Sequence, residues 1–174
     1  MLQYVAFFCL LSGAFACEFF PNGTENTFKV WSTCSSSSIA FFNATPTDAN
    51  GGYSYPIHLN RPLHVIAEID NMGKVYTDMS VKVMLSAWVV SRGCRWVPIN
   101  AYGYKSRVDA CKYGLPCPIK QGRQTITHTV DFSIFSDLIE WLPKDASYQL
   151  EIEFSDKDSM DKFCVNVQTR AIKR

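Results

Sequence analysis

Histidine is the side chain whose ordinary titration falls nearest neutral pH, and the chain carries three: His58, His64 and His128. None sits in a His-Glu-x-x-His helix pattern. No Gly-x-Ser-x-Gly elbow and no phosphate-cradling glycine loop is present either. A hydrolytic or group-transfer site needs a nucleophile, a base and an orienting partner brought together. The sequence offers no such set, so it assigns no catalytic residue, no metal site and no cofactor. His128 alternates with Val130 and Phe132, where a core or rim histidine is the ordinary reading. Asp156 to Asp161 lacks the glycine and spacing of an EF-hand loop and reads as a hairpin turn. The serine run after Cys34 reads as a solvated turn, and Trp31, Trp88 and Trp96 as sheet packing.

Thiol chemistry is better represented. The chain opens with MLQYVAFFCLLSGAFA, which has no charged side chain, is too short to span a bilayer, and ends in the small-x-small pattern Ala14-Phe15-Ala16. Residues 1–16 therefore read as a signal peptide, with 17–174 as a single domain. Without Cys9, six of the seven cysteines remain: Cys17, Cys34, Cys94, Cys111, Cys117 and Cys164. An even number in an exported chain points to disulfides. Sequons at Asn22 and Asn43 fit the same compartment, extracellular or the endolysosomal lumen. A formal charge of +1 argues against nucleic acid as a partner, since an electrostatic binder would carry a basic stripe.

The elements that must position these residues are strands. After residue 25, β-branched and aromatic residues alternate with polar ones between Gly, Pro, Asn and Asp clusters. FKVWSTC and SIAFFNAT read as early strands. RPLHVIAEI and VYTDMSVKVMLSAWVV read as a hairpin joined at DNMGK. An irregular segment, Ser91 to Tyr113, precedes QTITHTVDFSIF, in which Ile126, His128, Val130, Phe132 and Ile134 share one face. SYQLEIEF and KFCVNVQTRAI complete seven or eight strands, each apolar on one face. That pattern predicts an all-β, immunoglobulin-like, two-sheet antiparallel sandwich. Alternation alone leaves open whether side chains or a ligand fill the space between the sheets.

One stretch departs from alternation. In DFSIFSDLIEWLPKDAS, Phe135, Leu138, Ile139, Trp141 and Leu142 crowd a strand end with more apolar surface than a connection needs. It reads either as a turn packed on the end of the sandwich or as a greasy lip able to touch a membrane.

CKYGLPCPIKQG resembles the Cys-x5-Cys-Pro-Ile/Phe-x-x-Gly signature of the ML lipid-recognition domains, secreted sandwiches with a lipid cavity between the sheets. The runs DFSIFSDLIEWL and SYQLEIEF, leading to FCVNV, resemble the ganglioside activator branch of that family in order and spacing. The resemblance covers roughly Phe28 to Ile172. It implies the bonds Cys34–Cys164 and Cys111–Cys117, a choice that counting could not make among fifteen connectivities. Cys17 and Cys94 are left over and free to pair with each other.

The resemblance also implies a non-enzymatic protein that extracts, carries or presents a lipid. Its partners would be the lipid, a transient membrane surface, and a lipid hydrolase or receptor. Tails need only apolar walls, since each buried methylene contributes about 0.8 kcal/mol. The expected cavity faces are Val65, Ala67 and Ile69; Val83 and Leu85; Val130, Phe132 and Ile134; and Leu150, Ile152 and Phe154. Phe135, Leu138, Ile139, Trp141 and Leu142 would form the lip, and the Cys111–Cys117 loop a fixed rim. A slip of one residue would exchange the faces. If Asn43 points outward, simple alternation sends Phe41 out with it and Phe42 in. The competing class is a secreted adhesion or receptor-co-binding sandwich with a filled core and no lipid.

Overall fold

Period-two alternation becomes ten strands in the computed structural model, which describes residues 17–35, 37–99, 107–159 and 161–173. The segment 1–16 lies outside the described residues, as do Tyr102 and Tyr104 of the irregular segment. The strands are β1 (Lys29–Ser32), β2 (Ile39–Thr47), β3 (Ile57–His58), β4 (Leu63–Asn71), β5 (Met79–Val89), β6 (Arg95–Pro98), β7 (Val108–Asp109), β8 (Gly122–Val130), β9 (Asp145–Asp156) and β10 (Lys162–Ile172). One sheet has the order β1-β10-β9-β5-β6, with β3 beside β10 and β7 beside β5; the other is β2-β4-β8. All ladders are antiparallel except the two-residue pairing of β3 with β10. The expected two-sheet sandwich is therefore the fold.

Three expectations need correction. β4 and β5 do not form a hairpin, because they lie in different sheets. The turn between them is held by Asn71, which is buried and donates from Nδ2 to the carbonyls of Lys74 and Lys120 at 2.7 and 3.0 Å. Tyr76 then exchanges backbone bonds with Ile119 at 2.9 and 3.0 Å, so the chain is carried across to the other sheet.

The second correction concerns β2. Phe41 pairs with Ile69 and Asn43 with Glu68, so Phe42 is an unpaired bulge residue. The extra residue keeps Phe41 packed against the core while Asn43 and Phe42 both face solvent, Phe42 beneath the Arg123 guanidinium. Simple alternation had sent Phe41 out and Phe42 in.

The third is the end of β8. The Asp131 carboxylate accepts the Ser133 amide at 2.9 Å and starts a 3-10 turn, Phe132–Phe135, followed by the short helix α1 (Ser136–Trp141). Phe132 and Ile134 thus leave the strand whose face they were expected to share.

All three disulfides form, with Cα separations of 5.8 Å for Cys17–Cys94, 5.0 Å for Cys34–Cys164 and 5.5 Å for Cys111–Cys117. The first anchors an N-terminal strap across the outer face of the larger sheet. Along it the Glu18 carbonyl accepts from Trp88 Nε1 at 2.9 Å, Asn22 Nδ2 donates to Gln168 Oε1 at 2.8 Å, and the Thr24 and Ser147 hydroxyls meet at 2.7 Å.

Candidate functional site

Strand register decides which side chains meet between the sheets. On the smaller sheet, Leu63 lies opposite Val130, Val65 opposite His128, Ala67 opposite Ile126 and Ile69 opposite Gln124. On the larger, Val81 and Phe163 flank Phe154, Val83 and Val165 flank Ile152, and Leu85 and Val167 flank Leu150. Two packed clusters occupy the ends of this space. One gathers Ile39, Ile69, Tyr76, Met79, Ile119 and Phe163, with Ala67, Val81 and Phe154 against it. The other gathers Ile57, Ala87, Leu142, Ala146, Tyr148 and Ala171, with Leu63, Leu85 and Leu150 against it.

Between the clusters lies a layer that belongs to neither. On β4 it is Val65, on β5 Val83, on β9 Ile152, and on β8 His128 and Val130. These side chains lie on the inward faces of their strands, where a filled sandwich buries its residues. Yet Val65, Val130 and Ile152 are only half-buried, and Val83 is 37% exposed. The β10 side of the space is closed by Val165 and Val167, which pack with the first cluster. Val83 lies between the short stretches of β5 that pair with β7 and β6, so among the described residues its layer opens along that edge.

The expected cavity set therefore divides. Ala67, Ile69 and Phe154 pack at one end, Leu85, Leu150 and Phe132 at the other, and Val65, Val83, Val130 and Ile152 between them. Ile134, 52% exposed on the 3-10 turn, lies on neither inward face.

The apolar stretch after β8 divides as well. Leu142 is buried, and Leu138 and Ile139 pack against the second cluster, as a core-packed turn would. Phe135 is half-buried. Trp141 is 87% exposed and forms an outward apolar tip, and Ile134 on the preceding 3-10 turn is exposed as well. The base of that tip is pinned by Lys173, whose Nζ donates to the Ile139 and Glu140 carbonyls at 3.1 and 2.7 Å, the usual place for a cation at a helix C-terminus.

The Cys111–Cys117 loop lies against the free edge of β8. Gly114 adopts φ +103°, and a Cβ there would stand 2.7 Å from the Thr129 carbonyl and 3.2 Å from His128 Nδ1. Ala110, Leu115 and Ile119 bury their side chains in the first cluster, so the loop is packed down on both sides of its disulfide.

A polar cleft of about 320 Å³, lined by Thr47, Asp48, His58, Arg61 and His64 among others, lies at the α1 end of the sandwich, outside the inter-sheet layer. Sequence reading passed over it, because His58 and His64 match no motif and only the fold brings Asp48 beside them. The Asp48 carboxylate is engaged by the Asn50 and Gly52 amides at 2.8 and 3.0 Å, and Arg61 donates to Ser54 Oγ at 3.2 Å.

A two-sheet antiparallel sandwich with a packed apolar cluster at each end and three disulfides defines a class of disulfide-bonded β domain. The family model described as the ML domain (E1_DerP2_DerF2) matches residues 30–171, and the chain belongs to that family. Among solved structures, a Niemann-Pick type C2 protein from Japanese carpenter ant is 15% identical, with a TM-score of 0.44, over 81% of this chain and 98% of that one. The C-terminal domain of wzt is 6% identical, with a TM-score of 0.42, over 84% of this chain and 78% of that one. No curated protein matches the chain.

Proposed function

We propose that this protein is a non-enzymatic lipid-binding domain that holds the tail of a lipid in the layer between its sheets, and extracts, carries or presents that lipid. The observation that carries the reading is the half-buried layer of Val65, Val83, Val130 and Ile152, apolar side chains on inward faces that neither packed cluster covers. Covering such surface with acyl or sterol carbon is favourable without any polar chemistry, at about 25 cal/mol per Å². Membership of the ML family supports the same conclusion.

Trp141 and Ile134 would touch the membrane during loading and release, because a tryptophan suits the boundary between headgroups and chains. The disulfides and the exposed sequon asparagines fit a secreted or endolysosomal setting. A lipid hydrolase or a receptor would then be the acceptor of the presented lipid. The competing reading, a filled adhesion sandwich, calls for a middle layer that closes without a ligand.

The test is to purify the secreted protein, extract it with organic solvent and identify bound lipid by mass spectrometry, with transfer of fluorescent lipid between vesicles measured alongside. A stoichiometric lipid together with transfer is expected. An empty protein that moves no lipid would sink the proposal.

A further inference from the structure

The middle layer contains one side chain that an apolar tail does not need. His128 sits on the inward face opposite Val65, with Ile126 and Val130 on either side of it along β8. Its Nδ1 is enclosed and has no hydrogen-bond partner among the described residues. The backbone at Gly114 passes so close that even a Cβ would stand 3.2 Å from both Nδ1 and Cε1. The ring as a whole is only half-buried, and Nδ1 is its one enclosed unpaired nitrogen, so the Nε2 edge is the side left open. A buried polar atom without a partner costs stability, and leucine would fill this place without that cost.

We infer that His128 is the polar anchor of the lipid site, and that its Nε2 hydrogen-bonds a hydroxyl carried by the bound lipid. This rests on the lipid-binding reading above and adds the chemical class of ligand to it. A neutral imidazole presents either an N–H or a bare nitrogen at Nε2, depending on its tautomer. A hydroxyl answers both, accepting from the first or donating to the second, whereas a hydrocarbon answers neither. The ligand class is therefore a long-chain or sterol alcohol whose hydroxyl lies within the layer.

The experiment uses delipidated, disulfide-intact protein and measures how 1-hexadecanol and hexadecane, delivered from cyclodextrin, displace a pyrene-labelled lipid. Wild-type protein should prefer the alcohol by about tenfold, the size of one well-placed hydrogen bond. His128→Leu should bring the two ligands within about twofold of each other, and should melt no lower than wild type, because it removes an unpaired buried nitrogen. His128→Gln should recover part of the preference, and it serves as the readout if the leucine variant does not fold. Equal affinity of the wild-type protein for both ligands overturns this inference while leaving lipid binding intact, as does an unchanged preference in His128→Leu. Failure of the wild-type protein to bind the pyrene-labelled lipid overturns lipid binding and this inference with it, whereas a bound probe that neither ligand displaces overturns this inference alone.

Discussion

Replacing Trp141 with alanine should separate membrane contact from folding. The indole is 87% exposed, so of the roughly 250 Å² that a tryptophan can present, only about 30 Å² is covered, worth less than about 1 kcal/mol of stability. The same side chain seated halfway into a bilayer interface would bury about 100 Å², or about 2.5 kcal/mol, a factor of roughly 70 in partition. Its neighbour Leu142 is 9% exposed and packs in the second cluster, so Leu142→Ala should cost about 2–5 kcal/mol and lower Tm by at least roughly 5 °C. The assay is flotation with phosphatidylcholine vesicles and lipid transfer between them, with thermal melts of the same preparations. Trp141→Ala should lose flotation and transfer while melting within about 2 °C of wild type. If its melt falls as far as that of Leu142→Ala, or its flotation is unchanged, the division of this stretch into a buried base and an outward tip is wrong.

Other predictions follow from the links that hold the sandwich. The Cys34–Cys164 bond closes a separation of 130 residues and Cys111–Cys117 one of 6; chain-entropy reasoning gives about 5 and about 2 kcal/mol, an order that denaturant midpoints of the paired serine variants will check. Burial first, and the Asp145 charge second, push the Tyr148 phenol up to about 12. The unfolded tyrosine releases its proton near pH 10, so this contribution is complete below about pH 10 and lost as pH rises toward about 12. Tyr148→Phe should therefore show a smaller alkaline loss of stability than wild type in denaturation series across that range. Gly114→Ala combines a φ of +103° with a Cβ 2.7 Å from the Thr129 carbonyl; a cost of roughly 1–3 kcal/mol and faster amide exchange at the end of β8 are expected.

Alternation made most of the sandwich readable. KFCVNVQTRAI coincides with β10 because Phe163, Val165 and Val167 face the core at strict period two and no other local preference competes. DFSIF continues the same period after β8, but Asp131 caps a helical turn there, and the competing signal was an aspartate two residues before a serine. DNMGK carries every mark of a hairpin turn, yet Asn71 and Tyr76 bind a segment nearly fifty residues further on, which no local pattern records. The inward position of Val65, Val83 and Ile152 was legible from their spacing. That neither cluster reaches them, while Leu85 and Leu150 pack against the cluster that Ile57 and Leu142 build at one end, was not, because that cluster joins residues far apart in the chain. The unpaired nitrogen of His128 was equally hidden, since it depends on the backbone of Gly114 reaching β8 from a separate loop.

The bulge at Phe42 gives β2 an unusual tolerance to a change of length. Deleting one residue from a regular strand turns every following side chain to the opposite face. Phe42 has no partner on β4, so removing it would bring Phe41 and Asn43 into consecutive register with Ile69 and Glu68, and both would keep their present sides. The strand therefore holds a single dispensable position, bordered by a core phenylalanine on one side and a sequon asparagine on the other. A gap at residue 42 in a related chain would mark a flattened strand with its two faces unchanged.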